Sequence, residues 1–281
     1  MTEEEFRLLR DLFHAHCGIF FREDARYLLE RRLWPRLQAR GLDTWRAYHR
    51  FLRFDPARQA ELEEATDLLT TNETYFHREP NQLRAFTSEI LPAAAAALGG
   101  ERRLRILSAG CSTGEEPYTI AVLVRDSGLF EGWDVEILGC DISRRVLASA
   151  RAGAYGEHAF RNPEADAMRR WFHLRSGRWV IDAQIRASVR LFQANLLDEG
   201  ALAAVGRLDV VFCRNVMIYF DLEARRRVLR RFHERMRDGA WLLLGHSESL
   251  LNVTADFEIV HLRHDLVYRK PAMTPARETQ T

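Results

Sequence analysis

Five short apolar runs constrain the fold of this chain most strongly. They read RLRILSAG, DVEILGCD, SVRLFQANL, LDVVFCRN and AWLLLGHSE, and each runs into glycine, aspartate, asparagine or serine. Apolar runs without alternation predict strands covered on both faces, and the helical stretches between most of them predict parallel neighbours. The closing FEIVHLRHDLVYRK predicts a strand pair or a final edge strand. We therefore expect an α/β domain with a mainly parallel sheet.

The turn after the first of these runs indicates a ligand. ILSAGCSTGEEPYTIAVLV (106–124) passes from strand to helix through Gly110 and Gly114, which gathers backbone N–H groups at a helix N-terminus. It lacks the Lys-Ser/Thr of a Walker loop and is a poor G-x-G-x-x-G. Glu115 and Glu116 would repel a pyrophosphate but tolerate a cation. S-adenosylmethionine, which carries a sulfonium and an ammonium and no phosphate, meets these conditions.

Ligands of such sheets lie at the carboxyl ends of the strands, where the topology switches direction. The residues expected along this crevice are Gly110, Glu116, Asp141, Asn195, Arg214 and Asn215. Asp141 ends the second strand, where an acid would bind ribose hydroxyls. Simpler roles stay open, because Glu115 and Glu116 also suit a helix N-terminus and Asp141 also suits a helix cap.

The first seventy residues predict an all-helical module. Phe6, Leu9, Phe13 and Cys17 recur at helical spacing, and a second helix is expected from about Arg22 to Arg40, capped by Asp24 and kinked or split at Pro35. Residues 22 to 58 carry ten arginines against five acids. The expected domains are a helical substrate-docking domain (1–72), a linker helix region (73–100), the α/β domain (101–270) with an inserted β hairpin (171–192), and a disordered tail (271–281).

Composition narrows the class of protein. The start, MTEEEFRLLRDLF, lacks the basic and apolar regions of a signal peptide, and no apolar run approaches a membrane span, so we expect a cytoplasmic protein. The four cysteines form no C-x-x-C pair, which indicates neither a metal site nor a disulfide framework. The formal charge of +1 disfavours a nucleic-acid partner.

Six motifs together resemble one family. In chain order they are TTNETYFHRE (70–79), SAGCSTGEEPYTIA, CDISRRVLASARAGAY, NLL (195–197), FCRNVMIYFD and GHSESL. They closely resemble the motifs of the CheR family of chemotaxis protein methyltransferases, from Gly18 to about Lys270. The resemblance implies a class I (Rossmann-like) methyltransferase domain and an S-adenosylmethionine-dependent protein-glutamate O-methyltransferase that acts on the cytoplasmic helices of chemoreceptors.

The resemblance also implies residue roles. Asn72, Thr74 and Arg78 would touch the cofactor from the linker region, Glu116 would face its positively charged end, and Asp141 would take the ribose. Asn195 and Leu196 would border the adenine, with Cys213 and Arg214 closing the site. Tyr219 and Arg78 would lie near the methyl and the incoming glutamate. Arg32 and Arg36 match the basic positions of the receptor-docking helix.

Such a site needs few classical catalysts. A substrate glutamate with a pKa of ~4.3 is already ionised at neutral pH, and the cofactor supplies the activated methyl. Catalysis is then mainly alignment, with water excluded from the carboxylate. Arg78 and Tyr219 would orient that carboxylate. Cys111 and Cys213 are more simply read as packing residues, and His246 in GHSES has no mechanistic role assigned.

Departures from the family pattern bear on the partner. Pro35 and Gln38 stand in the docking helix where the family commonly carries basic residues. The RSG turn of the hairpin is short, whereas members that bind a receptor's C-terminal pentapeptide tether have a longer loop, so we expect a tether-independent, monomeric enzyme. Two alternatives stay open: a methyltransferase for another carboxylate acceptor, and a non-catalytic S-adenosylmethionine- or S-adenosylhomocysteine-binding scaffold.

Overall fold

The computed structural model describes residues 1–272. Most of the tail predicted for 271–281 lies outside the described residues. The helices of the N-terminal module are α1 (Glu3–Cys17), α2 (Arg26–Ala39), α3 (Trp45–Phe54) and α4 (Arg58–Leu69). Their buried side chains recur at three- and four-residue spacing, so each helix presents one apolar stripe to a common core that includes Phe13, Leu33 and Tyr48.

Helix α2 departs from the expected Arg22–Arg40 helix in two ways. It is preceded by a 3₁₀ turn, Glu23–Ala25, and its N-cap is Ala25 without a side-chain hydrogen bond, so the predicted Asp24 cap is wrong. The helix also runs unbroken through Pro35. The predicted split at Pro35 is therefore wrong. Proline removes the N–H that would bond the carbonyl of Arg31, and both Arg31 and Pro35 lie on the exposed side of the helix.

A long helical stretch connects the two parts of the chain. It consists of α5 (Pro80–Ala85), a π-helical turn (Phe86–Ile90) and α6 (Leu91–Leu98). Gln82, fully buried, donates from its side-chain amide to the carbonyl of Leu244, 2.9 Å away. The stretch is therefore fastened to the sheet that follows it.

The α/β domain contains a seven-stranded sheet. Its strands are β1 (Arg103–Ala109), β2 (Asp134–Asp141), β6 (Val189–Gln193), β7 (Leu208–Cys213), β8 (Met236–Leu244), β9 (Glu258–His261) and β10 (Leu266–Arg269). They lie in the order β6-β2-β1-β7-β8-β10-β9, and β10 is antiparallel to both of its neighbours. The helices of this domain are α7 (Glu115–Asp126), α8 (Arg144–Ala152), α9 (Ala183–Ala187) and α10 (Leu222–Arg235). The predicted mainly parallel, class I methyltransferase fold is confirmed.

The strand order reverses between β1 and β7. From β1 the chain builds outward through β2 and β6, and from β7 it builds the other way through β8. Diverging loops leave a crevice at the carboxyl ends of β1 and β7, which is where ligands of such sheets bind.

A second, three-stranded antiparallel sheet stands beside the main one. It contains β3 (Ala154–Tyr155), β4 (Phe172–Arg175) and β5 (Arg178–Ile181), with β5 in the middle. Of the hairpin range predicted at 171–192, the hairpin itself is β4 and β5, whereas residues from 189 onward belong to β6 of the main sheet. Ser176 and Gly177 connect β4 to β5 with φ of 47° and 74°, a two-residue turn.

Candidate active site

A cavity of about 280 Å³ opens at the crevice between β1 and β7, close to the ~300 Å³ at which small-molecule pockets begin. Its walls come from both parts of the chain, because Cys17 ends α1 and Ile19 follows it, while Gly110 follows β1 and Asp141 ends β2. The predicted site residues that line it are Asn72, Thr74, Arg78, Gly110, Glu116, Asp141, Asn195, Leu196, Arg214 and Tyr219. Five of the six sequence motifs thus contribute residues to one cavity, and GHSESL does not.

Cys213 does not line this cavity. It is the last residue of β7, and its side chain is fully buried in the core, because successive residues of a strand point to opposite faces and Arg214 takes the cavity side. Burial raises the pKa of Cys213, and also that of Cys111, which lines the cavity, well above the ordinary thiol value. The raised pKa favours the thiol over the thiolate, which suits packing better than nucleophilic attack.

Arg214 organises the acidic side of the cavity. Its Nε donates to Glu116 Oε2 at 2.6 Å, and one Nη lies 3.7 Å from Glu79 Oε2. The same Nη donates to the backbone carbonyl of Arg78 at 2.9 Å. The guanidinium is nearly inaccessible to water. Glu116 is therefore already paired with Arg214. The formal charge of the cavity lining is −1, because the carboxylates of Glu73, Glu116 and Asp141 outnumber the guanidiniums of Arg78 and Arg214 by one.

Asp141 keeps hydrogen-bonding capacity free. Its two oxygens accept backbone N–H groups of Ser112 and Ser143, each at 2.9 Å. Burial raises the pKa of Asp141, and these two N–H groups act in the opposite direction. An ionised carboxylate has about four acceptor positions, so two remain for ligand hydroxyls. The expectation that Asp141 caps α8 is wrong, since the N-cap is Ser143, whose hydroxyl accepts the N–H of Val146, while Asp141 only accepts the N–H of Ser143.

Gly110 lets two loops meet at the floor of the cavity. Its φ is 76°, and a Cβ placed there would overlap a methyl group of Val216. Val216 belongs to the loop that carries Arg214 and Tyr219. The glycine after β1 therefore sets how closely that loop approaches the cofactor turn.

Arg78 lies in a strained segment. His77 and Glu79 on either side have φ of 56° and 57°, which costs about 1 to 2 kcal/mol for a residue other than glycine. Arg78 donates from Nη1 to the carbonyl of Glu73 at 2.8 Å and its guanidinium lies over the ring of Tyr75. The side chain is half-buried and lines the cavity. Strain of this kind concentrates where a side chain must be aimed.

Tyr219 lies in a 3₁₀ turn, Met217–Tyr219, next to the N-terminal module. Its carbonyl accepts the N–H of Phe20 at 2.9 Å, and Ile19 pairs with Phe220 in an antiparallel bridge. Phe20 and Ile218 are 46% and 44% exposed. The segment after α1 thus forms one wall of the cavity and leaves apolar side chains beside Tyr219.

The two arginines predicted to dock a receptor are engaged within the protein. Arg32 donates to the carbonyl of Leu69 and to Thr71 Oγ1, the latter at 3.1 Å. Arg36 binds Glu61 through Nε at 3.0 Å and through Nη2 at 2.6 Å. Sequence reasoning missed these pairings because the partners are remote in the chain. The exposed arginines of this region that carry no such carboxylate partner among residues 1–272 include Arg22, Arg26 and Arg31.

Several residues of the site carry no sequence signal of their own. Ser108 donates its hydroxyl to Glu116 Oε1 at 2.6 Å, and Ser112 donates its hydroxyl to the carbonyl of Asn72 at 3.2 Å. By contrast, Asn195 was predicted, to border the adenine, and it donates to the carbonyl of His16 at 2.7 Å.

The GHSESL motif has no role assigned from the sequence. Within it His246 is exposed, whereas the carboxylate of Glu248 accepts the backbone N–H groups of Asn215 and Gly245.

Within residues 1–272, no group of three or more His, Cys, Asp or Glu side chains is arranged to hold a metal ion. No helix of that same part of the chain is long and apolar enough to cross a membrane.

Two sequence-family models match the chain. The model described as "CheR methyltransferase, all-alpha domain" matches residues 4–70, and "CheR methyltransferase, SAM binding domain" matches residues 72–266. The chain belongs to the CheR methyltransferase family. The family's enzymes are protein-glutamate O-methyltransferases, so the cofactor is S-adenosylmethionine and the product is a glutamyl methyl ester.

Curated members of the CheR family align with nearly the whole chain. "Chemotaxis protein methyltransferase 2" of Vibrio cholerae is 36% identical over 96% of this chain and 94% of its own length. "Chemotaxis protein methyltransferase 1" of Pseudomonas aeruginosa is 33% identical, with 94% and 97% covered. "Chemotaxis protein methyltransferase" of Borreliella burgdorferi is 32% identical, with 89% of each chain covered. Both parts of the chain are therefore shared with these relatives.

The cavity of this CheR-family chain fits S-adenosylmethionine. Asp141 offers two free acceptor positions for vicinal hydroxyls, and Ile19, Ile142 and Leu196 give apolar surface for a base. The formal charge of −1 on the cavity lining favours a cation. When bound, the cofactor supplies an electrophilic methyl group.

Proposed function

We propose that this protein methylates glutamate side chains on the cytoplasmic helices of chemoreceptors, acting as a monomer in the cytoplasm. One observation carries the proposal: Arg78 and Tyr219 line the same cavity as the cofactor-type residues Asp141 and Glu116. A guanidinium and a phenol hydroxyl can both donate charge-assisted hydrogen bonds to an ionised carboxylate. The proposal also accords with the names of the relatives, all of which are chemotaxis protein methyltransferases.

Each group of residues would have its own role in binding the cofactor. Asp141 would hold the ribose hydroxyls, and the Glu116–Arg214 pair would face the charged end of the cofactor. The rest of the cofactor would be surrounded by Asn72, Thr74, Gly110, Asn195 and Leu196. Arg78 and Tyr219 would hold the substrate carboxylate in line with the methyl group. The carboxylate is already ionised at neutral pH, so no base is required, and alignment with exclusion of water supplies the rate enhancement.

The surface beside the cavity suits a helical partner with acidic groups. The backbone of Phe20 is hydrogen-bonded to Tyr219, and Ile218 precedes Tyr219 in the chain. The exposed side chains of Phe20 and Ile218 therefore place apolar surface next to Tyr219. Arg22, Arg26 and Arg31 add exposed positive charge near the start of α2. We propose these exposed arginines, with Arg32 and Arg36 positioned behind them, as the docking face for receptor helices, because opposite charge steers such encounters.

We also propose that docking does not use a C-terminal receptor tether. The support is the two-residue turn at Ser176 and Gly177, which leaves no loop beyond the ends of β4 and β5. A receptor fragment that lacks its C-terminal residues would then be methylated at the same rate as the complete fragment.

The direct test incubates the purified full chain with methyl-labelled S-adenosylmethionine and receptor cytoplasmic fragments from the same organism. Base-labile label, released as methanol, shows glutamyl ester formation. Arg78→Ala should lower transfer by about 100-fold, the usual cost of one orienting donor, whereas Arg84→Ala should not. Arg84 is a fitting control because its guanidinium is exposed and binds Asn81 and Glu164 away from the cavity.

Two results would overturn the proposal. Label on a small carboxylic acid but on no receptor fragment would support another acceptor. Cofactor binding without labelling of any acceptor would support a non-catalytic scaffold.

A further inference from the structure

The carboxylate of Glu248 makes contacts that the proposed chemistry does not use. Its Oε2 accepts the backbone N–H groups of Asn215 and Gly245, each at 2.7 Å, and its Oε1 accepts the N–H of Ile218 at 3.2 Å. Glu248 is half-buried after β8, and it does not line the cofactor cavity. Its oxygens are turned toward the backbone of the loop between Arg214 and Tyr219.

That loop needs an anchor. Asn215 has a φ of 59°, a left-handed conformation that costs about 1 to 2 kcal/mol outside glycine. The chain turns there from β7 into the 3₁₀ turn that contains Tyr219. Arg225 of α10 secures the same loop from its carbonyl side, because its Nε donates to Met217 and Phe220 at 2.9 and 3.0 Å. N–H groups and carbonyls of the loop are thus held by opposite charges.

We propose that Glu248 is a positioning residue for methyl transfer, which holds the 215–218 backbone so that Tyr219 meets the substrate carboxylate. The proposal rests on the proposed function, since it assumes that Tyr219 orients that carboxylate. It gives the GHSESL motif a role, with Glu248 rather than His246 as its working residue. A glutamine at 248 keeps the shape but places an NH₂ group against backbone N–H donors, so the loop loses at least one anchor.

The test compares Glu248→Gln, Tyr219→Phe and the double variant with the wild-type chain. The matched control is Glu258→Gln, because Glu258 is exposed on β9 and makes no side-chain hydrogen bond or ion pair to any of residues 1–272. Three quantities are measured: the Kd of S-adenosylhomocysteine by calorimetry, the kcat of receptor methylation, and amide hydrogen exchange of residues 215–219 by mass spectrometry.

We expect Glu248→Gln to lower kcat by about 10- to 100-fold, to change the Kd less than about threefold, and to speed exchange of the loop amides. In the Tyr219→Phe background the same substitution should cost less than about threefold, because residues that act through one group are not additive. The control variant should match the wild type in all three measurements.

An equal loss of kcat in both backgrounds, or an unchanged kcat in folded Glu248→Gln, overturns the proposal. If Glu248→Gln fails to fold, Arg225→Met probes the same loop from its carbonyl side. It must then give the same non-additive pattern with Tyr219→Phe, and an additive pattern overturns the proposal. A wild-type chain that labels no acceptor contradicts the proposed function instead. The exchange data then still decide whether Glu248 anchors the loop, and unchanged exchange overturns the proposal.

Discussion

At the scale of single residues, Gly110 meets two structural requirements whose energetic costs can be measured separately. It needs a positive φ, and its missing Cβ leaves room for Val216. Gly177 in the hairpin turn has almost the same φ, 74°, and a Cβ added there would meet no atom of residues 1–272 within 4 Å. Gly177→Ala should therefore cost only the conformational strain of about 1 to 2 kcal/mol. Gly110→Ala should add a further ~1 to 3 kcal/mol of overpacking.

The Gly110 substitution should also weaken cofactor binding by at least tenfold, because Gly110 itself lines the cavity and the turn after β1 must shift to accommodate the new Cβ. Urea unfolding and calorimetry with S-adenosylhomocysteine measure the two effects. Equal stability losses for the two alanine variants would show that the contact with Val216 is not significant.

Asp141 offers a second residue-scale prediction. Asp141→Asn keeps the size of the side chain but gives up one acceptor oxygen and the charge, so the Kd for S-adenosylhomocysteine should rise by at least tenfold. Asp134→Asn, at the exposed opening of the same strand, is the control. Calorimetry on both variants checks this, and an unchanged Kd for Asp141→Asn would remove Asp141 from ribose binding.

At the scale of elements, one buried carboxylate joins three helices. Glu61 of α4 is fully buried and accepts hydrogen bonds from Arg36 of α2, from Arg40 at the C-terminal end of that helix and from the Tyr48 hydroxyl of α3. Burial alone would raise the pKa of Glu61, but the hydrogen bonds from Arg36, Tyr48 and Arg40 outweigh it and lower the pKa. The ionised form is thus the one that the folded module prefers.

The lowered pKa of Glu61 makes the folded protein less stable at acid pH. A folded-state pKa below the unfolded one gives stability that is present above the unfolded pKa and is lost as the pH falls below it. Glu61→Gln should lower the free energy of unfolding by about 3 kcal/mol at pH 7 and reduce its decline between about pH 5 and pH 3. Glu64→Gln, which removes an exposed partner of Arg36, should change stability by less than about 0.5 kcal/mol. Urea unfolding across this pH range measures both, and equal losses would contradict the assignment.

The same helices show what sequence patterns can and cannot reveal. The strands were predictable because β1, β2 and β7 are buried on both faces and so read as apolar runs. The Arg36–Glu61 pairing was not, because a contact between residues 25 positions apart leaves no periodic trace. The expected split at Pro35 was wrong because local propensity cannot show that packing of Leu29, Leu33 and Leu37 against the module core holds the helix together across the proline.

At the scale of the whole molecule, strand geometry alone predicted only the part of the cavity that is built by strand ends, and the motif resemblance supplied other lining residues such as Arg78 and Tyr219. Gly110 and Asp141 follow from the rule that ligands lie at the carboxyl ends of parallel strands. Cys213 was misplaced because the strand's alternation turns it into the core. The wall formed by Ile19 and Phe220 carried no signal, since it exists only where the helical module meets the sheet.

That shared wall predicts how the whole chain responds to a ligand. Residues of the helical module and of the sheet line one cavity, and Asn195 joins them through the carbonyl of His16. S-adenosylhomocysteine should therefore stabilise both modules together. At a concentration of 100 Kd it adds about 2.7 kcal/mol, which corresponds to a rise in Tm of roughly 5 to 10 °C for a chain of this size.

Differential scanning calorimetry with and without S-adenosylhomocysteine measures this effect, and we expect a single transition that moves as a whole. Asn195→Ala should retain the single transition but reduce the shift, because the end of α1 is no longer held against the cavity. Asn81→Ala is the control, since the Asn81 side chain bonds the exposed Arg84 away from the cavity. Two transitions, of which the ligand moves only one, would mean that the helical module does not share in binding, and the wall after α1 would then serve the substrate alone.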